Sequence, residues 1–519
     1  MNTRKPACLS LGLAAFLACH LYGQEQKAPA SLPDLQQHLT QIIAQPKYAG
    51  ALWGVKVVSL DSGKTLFEHN PQKLFSPASN SKLYTVALAL DRLGPDFKIR
   101  TSLYSNSKPT NDGVLYDNLV VYGRGDPTIN ARLHGDVFKA LEPLVSALTN
   151  SHVQQIDGEI VGDSTFIRGP EFGSGWSWDD PENSYGAEIS ALTINDNTLS
   201  INIKPGDEVG APAFLLLSPA TDYLLVSNRV QTVEKGPRRR VNSFRPLEEN
   251  LVYVKGQISL GDTGLTEEVT VHEPAGLFIA LFKEALIRHG IKAAAKLRTR
   301  NWLEPGATDC SHMIELGSIE SLPLSTIAGE VLKPSQNLYA DLLLAQVGER
   351  TRSNTTPASE TSEDLGIAEL KRFLAQAGVA AGDVFFEEGS GLSRDNLTTP
   401  NATIALLKYM SRHACAETYK NALPIAGVDG TLRNRMKSTV AAGNIRAKTG
   451  TLRWANSLAG YVTSAAGEKL AFCIMLNRYH SAGQGSSARA DIDAMAVALA
   501  GLTGKSSDSL KPQIDTDKH

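Results

Sequence analysis

Three short runs in this chain carry side chains that could act on a carbonyl. Ser79-Asn80-Ser81-Lys82 follows Pro77-Ala78 and precedes Leu83-Tyr84-Thr85-Val86-Ala87-Leu88-Ala89-Leu90, an apolar stretch of helical character. Ser79 would open a buried helix, with Lys82 three residues on, on the same face and one turn away. The helix amino end adds backbone N–H groups and a positive dipole beside the hydroxyl. A nucleophile with its base is the chemistry this pairing suits. Lysine's ordinary pKa of about 10.4 leaves only about one side chain in 2,500 neutral at pH 7, and bringing it to 7 takes about 4.6 kcal/mol of differential stabilisation. Burial and a second cation are means of supplying it.

Ser335-Gln336-Asn337 precedes another apolar run and, taken alone, is an ordinary helix start with Ser335 as its N-cap. Lys448-Thr449-Gly450-Thr451 sits just before a strand pair. A cation and a hydroxyl on a strand, with a glycine that lets substrate lie against the backbone, would bind a carboxylate beside a nucleophile. Spacing alone does not single out Ser79, because Ser-x-x-Lys arises by chance about twice in a chain of this length. Ser105-Asn106-Ser107-Lys108 has the same spacing but runs into Pro109, Asn111 and Gly113, a loop with no helix to align the pair. Lys-Thr-Gly is expected only about 0.1 times. The order Ser-x-x-Lys, Ser-x-Asn, Lys-Thr-Gly is the set associated with penicillin-binding proteins and class A β-lactamases. His-Glu-x-x-His, Gly-x-Ser-x-Gly and Gly-x-Gly-x-x-Gly are missing, and the eleven histidines form no metal cluster in sequence. No metal or cofactor is expected.

The elements around these runs read coherently. Pro33 to Gln45 has Leu35, Leu39, Ile42 and Ile43 at helical spacing. Leu52 to Leu60 and Thr65 to Glu68 flank Asp61-Ser62-Gly63-Lys64 as a hairpin, and Leu458 to Thr463 with Lys469 to Leu476 form a second. Between residues 100 and 320 short β-rich pieces such as Leu119 to Tyr122 alternate with Gly, Pro, Asn and Asp, as in inserted β-rich modules. Helical periodicity returns at Leu324 to Val347, Leu365 to Ala377 and Ala488 to Leu499, before a polar tail that reads as disordered.

With 519 residues the chain has room for about three domains. Its 51 Lys and Arg against 54 Asp and Glu give a net charge of −3, which argues against a nucleic-acid partner. Arg4 and Lys5 before the apolar run Ala7 to Leu21, closed by Gly23, have the layout of a secretory signal, so the mature protein is expected in the periplasm or cell envelope. Cys19 offers lipid anchoring as a poorer alternative. Cys310, Cys415 and Cys473 are widely spaced and odd in number, which suits buried thiols better than a disulfide framework.

The gap from Ser79 to Ser335 is more than twice that from Ser335 to Lys448, so a large insertion follows the nucleophile helix. This resembles the low-molecular-mass class C penicillin-binding proteins, the penicillin-binding protein 4 type of D-alanyl-D-alanine carboxypeptidase/endopeptidase. Gly123 to Thr128, Gly175 to Asp180, Gly389 to Arg394 and Ala426 to Leu432 extend the resemblance from about residue 35 to 500. It implies an α+β fold, a β-lactamase/transpeptidase-like domain with an antiparallel sheet between helix layers and two nested β-rich inserted domains. The corresponding boundaries are a signal peptide at 1–23, the catalytic domain at 32–101 and 318–503, domain II at 102–190 and 272–317, domain III at 191–271 and a disordered tail at 504–519.

By the same resemblance, Ser79 attacks a peptidoglycan stem peptide with Lys82 as base, Ser335 relays a proton to the leaving amine, and Asn337 holds Lys82 and the substrate amide. Lys448, Thr449 and Gly450 line the carboxylate site, Lys448 also depresses the Lys82 pKa, and the backbone N–H groups of Ser79 and Thr451 form an oxyanion hole. Asp180, Tyr185 and Arg394 line the pocket for the diamino-acid side chain, although Arg453 departs from the uncharged residue expected nearby. β-Lactam antibiotics would be covalent inhibitors, and a homodimer is compatible with the family. A β-lactamase, or a non-catalytic wall-binding protein of the same fold, would share the motifs, but no Glu-x-x-Leu-Asn follows Ser79 to serve the former.

Overall fold

The computed structural model describes residues 28–236, 239–304, 310–480 and 487–506. The stretch expected to be a secretory signal, with Cys8 and Cys19, and the tail beyond 506 lie outside these residues. Helix α1 (Leu32–Ile43) opens the described chain. Ser31 caps it reciprocally, its hydroxyl accepting the Asp34 N–H at 3.3 Å while the Asp34 carboxylate accepts the Ser31 N–H at 3.0 Å. Strands β1 (Leu52–Ser59) and β2 (Thr65–His69) pair antiparallel, with Gly63 at φ +76° in the turn. A 3-10 turn, Ala78–Asn80, then runs into helix α2 (Ser81–Leu93), in which every residue from Ser81 to Leu90 is buried. A helix enclosed all round belongs in the centre of a domain.

The insertion leaves on β3 (Arg100–Ser105) and continues through β4 (Leu119–Tyr122), α3 (Val137–Asn150) and β5 (Ile160–Asp163). A nested module follows, with β6 (Thr198–Lys204), β7 (Phe214–Ser218), β8 (Leu225–Val233), β9 (Arg240–Phe244), β10 (Leu251–Ser259) and β11 (Leu265–Thr270) in two three-stranded sheets, β11-β6-β7 and β8-β10-β9. The chain returns through α4 (Pro274–Arg288), β12 (Leu297–Arg300) and β13 (Ile314–Glu320), completing a mixed sheet of order β12-β5-β4-β3-β13. Arg100 pairs with Glu320, so the insertion leaves and re-enters on neighbouring strands, and the expected edges at 101/102 and 317/318 fall inside them. The β-rich reading of this region misses two long helices. α3 contains Pro143, which suggests a break, yet Asp136 caps it by accepting the Phe138 N–H at 2.7 Å. α4 begins at Pro274, where the missing N–H has no intrahelical role to lose. Leu277, Phe278 and Phe282 of α4 share one core with Leu199 and Ile201 of the nested module.

The catalytic half resumes with α5 (Leu324–Leu332), α6 (Asn337–Thr351), α7 (Ser362–Gln376) and α8 (Pro400–Met410), then β14 (Arg446–Leu452), β15 (Ala455–Thr463), β16 (Lys469–Asn477) and α9 (Ala488–Gly501). The single periodic stretch read from Leu324 to Val347 is two helices, broken where Ser335 takes φ +70°. The main sheet is antiparallel in the order β14-β15-β16-β1-β2. Strand alternation explains its place between helix layers: Leu470, Phe472, Ile474 and Leu476 face a core with α1 and α9, while Ala471, Cys473 and Met475 face the core built on α2. Cys415 and Cys473 are buried thiols. The expectation of disorder from residue 504 needs correction, because Ser506 is buried and its N–H donates to Glu468 at 3.0 Å.

Helix α2 is fixed to the catalytic half by Tyr84, whose hydroxyl lies 2.8 Å from both the Thr398 and Thr403 hydroxyls, all three side chains being fully buried. Tyr84→Phe leaves the two threonine hydroxyls without that partner. It should lower the stability of the catalytic domain by about 1–3 kcal/mol, read as an earlier urea midpoint at unchanged slope; an unaltered midpoint would show that the triad contributes nothing net.

Candidate active site

The turn before α2 is compressed against its surroundings. Ala78 takes φ +49°, and the glycines facing it have no room for a side chain. A Cβ on Gly450 of β14 would lie 2.4 Å from the Pro77 carbonyl oxygen, and one on Gly391 would lie 2.0 Å from that of Ala78. Gly391 also takes φ +83°, which glycine adopts without strain. β14 is an edge strand of the main sheet, and the turn before Ser79 packs over its face, where the Ser457 hydroxyl of β15 donates to the Pro77 carbonyl at 2.7 Å. Gly450 therefore serves close approach of strand and turn, in addition to the open backbone that the sequence suggests.

Lys82 is fully buried, and its Nζ donates to three oxygens: Ser79 Oγ at 3.1 Å, Asn337 Oδ1 at 2.5 Å and the Ser390 carbonyl at 2.6 Å. Asn337 is the first residue of α6, and its Nδ2 donates to the Tyr185 carbonyl at 2.8 Å. Lys448, also fully buried, donates to Ser335 Oγ and to the Thr449 carbonyl, each at 2.8 Å. Thr449 donates to the Thr431 hydroxyl at 2.8 Å. The three motifs, from parts of the chain hundreds of residues apart, thus meet in two linked clusters. The decoy Ser105 ends strand β3 in the mixed sheet of the insert and takes no part in either cluster.

Burial lowers the Lys82 pKa to about 8, against the opposing pull of the Glu388 and Asp341 carboxylates. Motif chemistry alone leads one to expect Lys448 to depress Lys82. In the structure that repulsion falls on Lys448, which burial and the Lys82 ammonium together hold well below the usual lysine range. The reason is local: Lys82 has carboxylates behind it, whereas the Lys448 head meets only the Ser335 hydroxyl and a carbonyl.

Those carboxylates are the part of the site that sequence reasoning missed. Glu388, fully buried, accepts the N–H groups of Ser390 at 2.8 Å and Gly391 at 2.7 Å, the Ser390 hydroxyl, and Asn396 Nδ2 at 2.7 Å. It thereby folds the 388–391 loop so that the Ser390 carbonyl meets Lys82. Asp341 lies one turn beyond Asn337 on α6, its Oδ1 accepting the Gly389 N–H at 2.9 Å and its buried Oδ2 having no hydrogen-bond partner. The i, i+4 spacing of Asn337 and Asp341 was the available signal.

Asp180, Tyr185 and Arg394 also come together. Asp180 accepts the Ser177 N–H at 2.8 Å, and burial raises its pKa against that bond and the nearby Arg394 charge. Arg394 Nη1 donates to the Arg453 carbonyl at 3.3 Å, and the Arg453 guanidinium lies over the Trp454 ring. The Arg453 backbone thus holds Arg394 while its side chain turns to Trp454.

A buried hydroxyl–lysine pair, backed by a serine–lysine pair on a sheet edge in an α+β fold with nested inserts, defines an acyl-transfer enzyme of the penicillin-interacting kind. The model of the D-Ala-D-Ala carboxypeptidase 3 (S13) family matches residues 35–499, and the chain belongs to that family. A D-alanyl-D-alanine carboxypeptidase of Actinomadura sp. (strain R39) is 32% identical over 486 residues, covering 92% of this chain and 86% of the relative. The D-alanyl-D-alanine carboxypeptidase DacB of Haemophilus influenzae is 26% identical over 483 residues, covering 92% and 94%. The crystal structure of penicillin binding protein 4 from the same organism matches with a TM-score of 0.74 at 25% identity, over 90% of this chain and 98% of that one. A second structure of that protein holds a β-lactam.

Asp341 yields a signed test. Its pKa is held well above the usual range by burial first, then by Glu388 and Glu363, with Lys82 and the Gly389 N–H opposing. The folded protein therefore keeps a proton there that the unfolded chain releases near about 3.9, and this mismatch subtracts stability as pH rises above that value until the folded pKa is reached. Asp341→Asn should be more stable than the parent at pH 8 and show no such gain at pH 4 in urea denaturation. A loss at pH 8 would mean that Asp341 is ionised against Lys82.

Proposed function

We propose that this D-Ala-D-Ala carboxypeptidase cleaves peptidoglycan stem peptides through an acyl-enzyme on Ser79 and, by the same chemistry, cross-links whose leaving group is a second stem. The Lys82–Ser79 contact of 3.1 Å carries the reading. With a pKa of about 8, about one Lys82 in ten is neutral at pH 7, against one in thousands for an ordinary lysine.

Neutral Lys82 takes the Ser79 proton as Oγ adds to the carbonyl carbon of the penultimate D-Ala. The backbone N–H groups of Ser79 and Thr451 receive the oxyanion, a contribution typically worth about 3–4 kcal/mol. The C–N bond then breaks as the proton taken by Lys82 is relayed through the Ser335 hydroxyl to the departing amine, which leaves as D-Ala or as the second stem, with Lys82 neutral and Ser335 protonated again. Water releases the acyl group and restores Ser79. Lys448 and Thr449 meet the terminal carboxylate, whose negative charge raises the depressed Lys448 pKa and favours its ammonium form. Asp180, Tyr185 and Arg394 receive the diamino-acid side chain, the carboxylate suiting its free amine. The secretory layout of the amino-terminal run supports a location outside the cytoplasm, where this substrate lies.

Intact-mass spectrometry with excess benzylpenicillin should show one adduct of the drug's own mass, mapped to the Ser79 peptide and absent from Ser79→Ala. Drug recovered hydrolysed with no adduct would indicate a β-lactamase, and drug recovered intact would defeat the catalytic reading. Lys448→Ala removes a charged hydrogen bond worth about 1.5–3 kcal/mol, so kcat/KM for peptides ending in a free D-Ala carboxylate should fall about 10–100-fold. An equal rate in that variant would place the carboxylate elsewhere.

A further inference from the structure

A second cavity, of 490 Å³, lies in the inserted domains between the end of β5, the start of α4 and the end of β12. Its volume falls within the range of about 300–1,000 Å³ typical of small-molecule sites. Three features distinguish it from a surface dent. Arg300 lines it, with its Nε enclosed 3.8 Å from the Asp163 carboxylate. The indole of Trp302 is fixed by an Nε1–H bond to the Gly169 carbonyl at 2.8 Å, and Phe172 lines the same space. Glu171, Glu248 and Glu273 supply carboxylate acceptors around the opening. The deeper Glu188 is already engaged, accepting the Glu273 N–H at 2.8 Å and lying 3.0 Å from His272 Nδ1.

A simple anion would face the carboxylates of Glu171, Glu188, Glu248, Glu273 and Glu304 here, and a simple cation would face Arg300. A ligand whose arms each carry both a donor and an acceptor satisfies both, and apolar C–H faces suit the two aromatic rings. Those are the properties of a pyranose. The cavity is also joined to the active site by one loop. The Ile189 N–H donates to the Glu171 carbonyl at 2.7 Å, closing the loop at the cavity, while Tyr185 near its tip presents its carbonyl to Asn337.

We propose that this cavity binds the glycan of the substrate, an N-acetylated amino-sugar unit attached to the stem peptide being cleaved at Ser79. The assignment rests on the function proposed above and extends it from the peptide to the sugar. Sugar binding at Trp302, Phe172 and Arg300 holds the 171–189 loop in place and anchors the stem, so the gain appears as a lower KM rather than a higher kcat.

The test compares a free pentapeptide stem with the same stem on an N-acetylglucosaminyl-N-acetylmuramyl disaccharide, together with calorimetric binding of the peptide-free disaccharide. The wild-type protein should bind the disaccharide alone, also when benzylpenicillin occupies Ser79, and should show a lower KM for the glycosylated stem. Trp302→Leu and the more exposed Glu171→Gln should each weaken disaccharide binding, about tenfold where a hydrogen bond or ring contact is lost. They should erase the KM advantage and leave free-pentapeptide turnover unchanged, with the isosteric Glu171→Gln also keeping the parent melting temperature. If the disaccharide does not bind while the free pentapeptide is cleaved, the glycan site is wrong and the peptidase reading stands. Binding that survives both substitutions also overturns the cavity, and loss of pentapeptide cleavage in the wild type overturns the peptidase reading itself.

Discussion

Enclosing one ammonium group sets the terms for the rest of this structure. Lys82 has no exposed surface, so its proton is held only by what the fold places around Nζ: one hydroxyl, one amide oxygen and one carbonyl. Each acceptor comes from a different part of the chain. A charge removed from water is costly unless hydrogen-bonded, and the three contacts offset enough of that penalty for Lys82 to fold inside while leaving its pKa depressed. Had Glu388 and Asp341 stood in direct contact with Nζ, their pull would have fixed the proton. Glu388 instead spends its acceptors on backbone N–H groups and Asn396, and reaches Lys82 as a field and through the Ser390 carbonyl.

The insertion packs along α6, where the Tyr339 hydroxyl meets Asn130 and Asp196, and it reaches the centre itself at Asn337. The Tyr185 carbonyl orients the Asn337 amide, which fixes Asn337 Oδ1 toward Lys82. A loop more than a hundred residues from Ser79 in sequence therefore helps to position the Lys82 amine. The same loop carries Asp180 and closes on the second cavity, so substrate contacts far from the reacting bond have a short path to it. The mixed sheet of the insert returns to the catalytic half on paired strands β3 and β13, which makes that path stiff.

Much of this was legible in the amino-acid sequence. Ser79 and Lys82 stood out because a continuous apolar helix follows them, and that helix is the central one. The two hairpins were legible because turn residues separate strands of fitting length. Other features depend on neighbours that local patterns do not reveal. The β-rich reading of residues 100–320 missed the helices Val137–Asn150 and Pro274–Arg288, which tertiary packing supports. Glu388 and Asp341 look like ordinary polar residues until the fold buries them against Lys82. Ser335 reads as a helix cap, but the break before α6 puts it at positive φ with its hydroxyl on Lys448. Strained backbone at a reacting side chain is common in active sites.

The central claim is that Lys82 loses its proton near neutral pH because it is buried. The direct measurement is an NMR titration of side-chain-labelled lysine in the uninhibited protein, with the Lys82 signal assigned by its loss in Lys82→Arg. A midpoint near 8, far below the other lysines, is the expected result. A midpoint above about 10, the ordinary lysine range, would contradict it and leave Ser79 without a base.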